Sequence, residues 1–226
     1  MVYNPPMSDL RPTLTLVGDA AVLVEFRDGE VFAANRAARA LGQALVAAAP
    51  PWLRDVTPAY RTLLVAFDSL VGAPDAVAAD IEALSARLDV VHAAPARLVT
   101  IPVRYGGDEG PDLSDVAQHT GLSEAEVIAR HTAAVYTVMF IGFMPGFPYL
   151  SGLDPALATP RLASPRRAVA AGSVGIGGDQ TGVYPSLSPG GWRLIGRTAL
   201  ALYDPRHDPP TLLRAGDEVR FAVAGR

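Results

Sequence analysis

Four segments of this sequence gather residue types that can bind or transform a small ligand. Gly142-Phe-Met-Pro-Gly-Phe-Pro-Tyr-Leu150 presents Phe147 and Tyr149 on a backbone stiffened by two prolines and two glycines. That composition suits one wall of a cleft, with Tyr149 supplying a hydroxyl, or an irregular core plug. Arg161, Arg166 and Arg167 follow, flanked by Pro160 and Pro165. Guanidinium groups on a stiff loop fork onto carboxylate or phosphate at low entropic cost; singly they serve as solvated charges or ion pairs, here with Asp154 or Asp179. Ala171-Gly-Ser-Val-Gly-Ile-Gly-Gly-Asp-Gln-Thr-Gly182 has the glycines of a backbone nest for an anion, and equally those of a hairpin corner. It lacks the Lys-Ser/Thr of a P-loop, the last glycine of GxGxxG and the first glycine of GxSxG, so Ser173, Gln180 and Thr181 are cast as hydrogen-bonding groups without a nucleophile. The fourth segment, Tyr184-Pro-Ser-Leu-Ser-Pro-Gly-Gly-Trp192 with Ile195-Gly-Arg-Thr198, crowds Tyr184, Ser188, Trp192 and Arg197 together. Trp192 reads as packing and Arg197 as a ligand contact or a buried ion pair.

The four histidines show no metal-ligand spacing, and no metal site is expected. His131, near a helix end just ahead of the Gly142 segment, is the acid–base candidate, against a structural histidine at a helix C-terminus. Composition narrows the chemistry further. All 19 basic residues are arginine, and the chain has neither lysine nor cysteine. That excludes a P-loop lysine, a Schiff base, a biotin-carrying lysine, zinc-finger and iron–sulfur sites, thiol nucleophiles and disulfides. The net charge of −4 argues against nucleic-acid or anionic-membrane binding. No apolar run approaches the ~20 residues of a membrane span, and Met1–Pro12 lacks the features of a signal peptide, so a cytoplasmic location is expected. Residues 130–214 nevertheless hold eight arginines against four acids, which points to a small anionic ligand.

The elements that must position these segments fall into two regions. Over 13–96, strands at Leu14–Val17, Ala21–Phe26, Val56–Tyr60 and Arg61–Phe67 alternate with helices at Val31–Ala49, stopped by Pro50-Pro51, and Ala76–Leu88. This order fits an α+β domain with helices on one face of an antiparallel sheet. After a connector at His92–Pro95 the pattern changes. A strand at Leu98–Val103, a short helix at Asp112–His119, a helix opened by the capping box Ser123-Glu-Ala-Glu126, and a strand at Val135–Ile141 lead into a stretch in which 17 of 50 residues are glycine or proline. Strands at Leu194–Gly196, Ala199–Tyr203 and Glu218–Val223 close a mostly β domain with structured loops.

The Gly142–Leu150 string, then Leu153-Asp-Pro, Ala171-Gly-Ser-Val-Gly-Ile, Gln180-Thr-Gly-Val-Tyr-Pro, Ser188-Pro-Gly-Gly-Trp and Ile195-Gly-Arg-Thr, resembles the family of the B component of 5-oxoprolinase. That family includes the sporulation-kinase inhibitor KipI and the allophanate hydrolase subunit 1 proteins, and is similar to half of the urea carboxylase carboxyltransferase domain. The resemblance spans the whole chain and is strongest over 98–221. It implies an α+β domain over 1–94 and a cyclophilin-like β-barrel of carboxyltransferase subdomain C/D type over 95–226. It further implies partners, a homologous C component and an A component of the same enzyme, which together open 5-oxo-L-proline to L-glutamate with ATP hydrolysis and magnesium. Matched by position, His131, Phe147, Tyr149, Arg161, Arg166, Ser173, Gln180, Tyr184, Ser188 and Arg197 fall in the family motifs. Two positions depart from it: Ala170 stands where the family has proline, and Arg104 where it often has cysteine.

Opening a lactam with ATP requires a site for a carboxylate and a phosphate and for the negative charge that spreads in the transition state. The expectation is that Arg161, Arg166 and Arg197, with the 172–182 backbone amides, form this chain's share. His131, Gln180 and Arg166 take the catalytic places, while Phe147, Tyr149, Arg161, Ser173, Tyr184, Ser188 and Arg197 bind substrate or ATP. Three other readings remain: an allophanate- or urea-type carboxyltransferase component, a KipI-like inhibitor of a histidine kinase, and a prolyl isomerase suggested by the barrel alone.

Overall fold

The computed structural model describes residues 11–88 and 96–225. The first ten residues and the connector expected at His92–Pro95, with the boundary at 94–95, lie outside the described residues. The chain divides into two compact units, Met1–Pro95 and Ala96–Arg226.

In the first unit, β1 (Thr13–Val17), β2 (Ala21–Glu25), β3 (Leu53–Pro58) and β4 (Thr62–Phe67) form an antiparallel sheet in the order β1-β2-β4-β3. Alternation along β2 and β4 turns Val22, Val24, Leu63, Val65 and Phe67 to one face. Helix α1 (Val31–Ala48) covers that face with Ala34, Ala37, Ala38, Leu41 and Leu45, its alanines allowing close approach. It ends where Ala49 turns left-handed (φ 44) ahead of Pro50. Helix α2 (Pro74–Ser85), with proline in its first turn, adds Val77 and Ile81.

The second unit is mostly β. Its strands are β5 (Leu98–Tyr105), β6 (Tyr136–Ile141), β7 (Pro148–Ser151), β8 (Arg166–Val169), β9 (Ser173–Gly177), β10 (Gln180–Val183), β11 (Ser188–Gly190), β12 (Arg193–Arg197) and β13 (Glu218–Val223). Seven close into a barrel in the order β10-β7-β6-β13-β5-β12-β9, and β8 and β11 pair as a separate ribbon. Inward residues Ile101, Val103, Val138, Leu150, Val174, Ile176, Val183, Ile195, Val219 and Phe221 fill the barrel. Helices α3 (Leu113–Thr120) and α4 (Glu124–Ala133) add Leu113, Val116 and Val127 to that core. The capping box of α4 forms as expected. Ser123 Oγ accepts from the Glu126 amide at 3.2 Å, and the Glu126 carboxylate accepts from the Ser123 amide at 2.8 Å. The strand expected at Ala199–Tyr203 does not form. The segment is irregular and makes one isolated bridge, Tyr203 to Thr211; Leu202 is buried against the barrel core, while Leu200 is exposed. Among the described residues no helix is long and apolar enough to cross a membrane.

Candidate functional site

The site is built on the outer wall of the barrel. Along β9 and β10 the period of two sends Val174, Ile176 and Val183 inward, leaving Gly175, Gly177 and Gly182 on the opposite face. The Trp192 indole lies over these glycines. A Cβ at Gly177 would come within 2.5 Å of the indole ring, and one at Gly182 within 3.1 Å. Trp192 joins Phe147, Val169, Tyr184 and Leu194 in a small apolar cluster of its own, outside the barrel core. The glycine-rich segment is therefore the hairpin corner and not the anion nest. Its two-residue turn, Gly178-Asp179, places Gly178 at φ 70, and β9 is hydrogen-bonded to β10 on one side and β12 on the other. Of the amides expected to hold a phosphate, those of Gly172, Ser173 and Gly178 donate to the Tyr184, Ala170 and Thr159 carbonyls, and the strands on either side of the turn pair in the ladder.

Beside Trp192 opens a pocket of about 300 Å³, lined by Phe143, Phe147, Tyr149, Arg161, Leu162, Pro165, Tyr184 and Trp192 and by Pro189–Gly191 of the ribbon and the turn after it. Phe147 stands edge-on to Tyr149 at 5.1 Å, to Tyr184 at 5.3 Å and to Trp192 at 5.5 Å, so the aromatic wall is a mutually braced set. Arg161 holds its guanidinium 5.7 Å from the centroid of the Trp192 ring. Among the described residues it has no carboxylate within ion-pair reach. Burial raises the Tyr184 phenol above its ordinary pKa, opposed by the Trp192 backbone amide and by Arg161 and Arg166 nearby. Of the expected residues, Phe147, Tyr149, Arg161 and Tyr184 thus meet in one place. Phe143 and the Pro189–Gly191 wall complete it, and the dense Gly-Pro punctuation of their segments was the available signal for them.

The other expected residues lie elsewhere. Arg166 does not line the pocket. Its Nη2 donates to Asp112 Oδ1 at 2.6 Å, and Asp112 Oδ2 accepts from the Leu194 amide at 2.6 Å. With the Asp112 side chain only 6% exposed, Arg166 is a strut tying β8 to the start of α3 in place of the catalytic cation expected. Asp112 itself was not singled out in the sequence, because its partner lies 54 residues away.

His131 is fully buried within the barrel, stacked on Phe221 with centroids 4.5 Å apart. The hydroxyl of Thr181 donates to the Gly175 carbonyl at 2.9 Å, so it must accept the proton of His131 Nε2 at 3.0 Å; Nδ1 then accepts from the Tyr105 hydroxyl at 2.8 Å. Burial lowers the His131 pKa to about 3, and the ring is neutral at physiological pH. Both nitrogens are engaged inside the core, which places the expected proton relay in a packing role.

Ser173 is buried on β9, Gln180 opens β10 opposite Gly177, and Ser188 is buried on the ribbon, its Oγ without a hydrogen-bond partner among the described residues. Arg197 is exposed, donates through Nε to the Ala171 carbonyl at 2.9 Å, and lines a second hollow of about 220 Å³ with Arg104 and Glu109. No group of three or more histidine, aspartate or glutamate residues able to hold a metal occurs among the described residues.

A closed barrel carrying an aromatic pocket on its outer wall is the class of molecule these features define. The chain belongs to the family of the carboxyltransferase domain, subdomain C and D, which matches residues 12–213. It is 46% identical over 209 residues to a protein from Escherichia coli O157:H7 named as the B component of 5-oxoprolinase, with 91% of this chain and 93% of that protein covered. It is 41% identical over 222 residues to a protein of the same name from Bacillus subtilis, with 94% and 92% covered. The solved structure of TTHA0988 superposes with a TM-score of 0.80 at 41% identity, over 91% of this chain and 40% of that one, so this chain spans two fifths of its length.

Proposed function

We propose that this chain is the B component of a cytoplasmic, ATP-dependent 5-oxoprolinase, which with the A and C components hydrolyses 5-oxo-L-proline to L-glutamate. Near-full-length similarity to two proteins of that name supports the reaction. The observation that carries it to a site is Arg161, a guanidinium at an aromatic pocket with no carboxylate partner among the described residues. A small planar lactam with one carboxylate matches that chemistry: Arg161 takes the carboxylate, and Trp192, Phe147 and Tyr149 offer apolar faces to the ring. In this reading the first unit is the α+β domain, and the second is a cyclophilin-like barrel that orients the substrate and keeps water from its faces.

The residues of this chain do not fit the triphosphate and its magnesium. There is no lysine, the strands of the glycine segment pair in the ladder while its Gly172, Ser173 and Gly178 amides donate to backbone carbonyls, and no acidic cluster offers metal ligands among the described residues. We therefore assign ATP and magnesium to the other components of the enzyme. A second reading has support from the family itself: a carboxyltransferase-type component that acts on allophanate, which also joins a carboxylate to a planar amide.

Reconstitution with the A and C components tests both. ATP-dependent glutamate formation from 5-oxoproline, with KM raised about tenfold or more by Arg161→Gln, is expected from loss of a charged hydrogen bond. Turnover of allophanate alone would transfer the assignment to the second reading.

A further inference from the structure

Phe143 holds a backbone conformation that its side chain disfavours. Among the described residues only it and Ala49 combine a side chain with positive φ, and Phe143 sits at φ 63. The Met144 amide donates to the Gly142 carbonyl at 2.6 Å, closing a γ-turn of the rarer, strained kind with positive φ at its centre. A second turn follows at once: Phe147 donates to the Met144 carbonyl at 3.1 Å across Pro145 and Gly146, the latter at φ 82, as a type II turn requires. The Gly142 amide donates to the Phe147 carbonyl at 3.1 Å and pins the two turns together. Burial does not explain a phenylalanine here. The residue is 60% exposed, and its ring meets Phe147 edge-on at 5.4 Å. What the turn achieves is to set an aromatic face on the rim of the Trp192 pocket. Strain held at a ligand site, with the neighbouring turns over-determining it, is the pattern expected of a residue kept for binding.

We propose that Phe143 is a specificity-determining residue whose ring covers the planar ring of the small carboxylate-bearing amide that Arg161 holds. This rests on the pocket reading given above. It adds that selection for a flat ring comes from a face presented by a strained turn.

The test compares Phe143→Ala with Phe143→Gly, which lose the ring equally and differ only in tolerance of φ 63. In ordinary backbone the alanine variant is the more stable; here the glycine variant is expected to melt about 2–4 °C higher. In the reconstituted enzyme both are expected to raise KM for 5-oxoproline roughly 2–10-fold, the range of one lost aromatic contact, while Phe143→Tyr stays within about twofold of the parent. An alanine variant as stable as the glycine one, or a KM unmoved in both while Arg161→Gln raises it, overturns the proposal and leaves the pocket reading standing. A KM unmoved by Arg161→Gln as well removes the pocket reading and the proposal with it. Failure of Phe143→Ala to assemble with the other components overturns it too, because the ring would then serve an interface between them.

Discussion

Replacing Arg166 by alanine separates a strut from a catalytic cation. The guanidinium is the charge partner of Asp112, whose side chain is 6% exposed and whose other oxygen accepts from the Leu194 amide. Removing one member of a buried pair leaves the other charged, desolvated and short of a partner, at a cost of about 3–5 kcal/mol. The Arg166 side chain is 29% exposed, so water reaches the gap and the lower end applies, about 3 kcal/mol. At about 2–4 °C per kcal/mol for a chain of this size, the melting temperature falls by about 6–12 °C. Asp112→Asn, alone and combined with Arg166→Ala, completes a double-mutant cycle. A coupling of about 1–3 kcal/mol is expected from residues in direct contact, with the double variant recovering part of the loss. Thermal and urea unfolding followed by circular dichroism supply the stabilities, and steady-state kinetics of the reconstituted enzyme supply KM and kcat. A variant with unchanged melting temperature and abolished turnover would refute the strut and return Arg166 to the reacting groups.

Two further outcomes follow from the same geometry. Gly177→Ala drives a methyl to within 2.5 Å of the Trp192 indole; overpacking of this kind costs about 1–3 kcal/mol and shifts the pocket floor, so stability and affinity should fall together, and an unperturbed Trp192 emission would argue against the seat described. His131 is held neutral with its pKa lowered to about 3 from 6.5. The unfolded chain therefore binds the proton more readily, and stability is complete above pH 6.5 and declines as pH falls toward 3. Between pH 7 and pH 5 this one group contributes a loss of about 2 kcal/mol. That loss should be missing from the stability profile of His131→Gln, and parallel profiles for parent and variant would contradict the buried neutral imidazole.

What could be read from the sequence was local. The Ser123–Glu126 box, the stop at Pro50-Pro51 and the helical spacing of Val77 and Ile81 act within a turn or two, and each element forms close to where its pattern places it. The pocket was legible as a gathering of Phe147, Tyr149, Arg161 and Tyr184, because prolines and glycines keep these segments short and stiff. The roles of Arg166 and His131 were not, since their partners lie 54, 26 and 50 residues away and only the closed barrel brings them together. The glycine segment misled for a different reason. Gly175 and Gly177 stand two apart, the period of a strand face, and that spacing signalled a flat seat for an aromatic ring more directly than a cradle for phosphate. Ala199–Tyr203 alternates like a strand, but the barrel closes through β12, β5 and β13 without it.

The chain has two tryptophans, Trp52 and Trp192, which permits a direct view of the pocket inside the assembled enzyme. With 5-fluorotryptophan incorporated into this chain alone and Trp52→Phe in place, a single ¹⁹F resonance reports on Trp192. Titration with 5-oxoproline is expected to shift that resonance saturably; 2-pyrrolidinone, which keeps the ring and lacks the carboxylate, should shift it little, and Arg161→Gln should abolish the response. A resonance indifferent to 5-oxoproline, or one that moves equally for both compounds and in the Arg161 variant, would contradict a carboxylate-selecting pocket on the outer wall of this barrel.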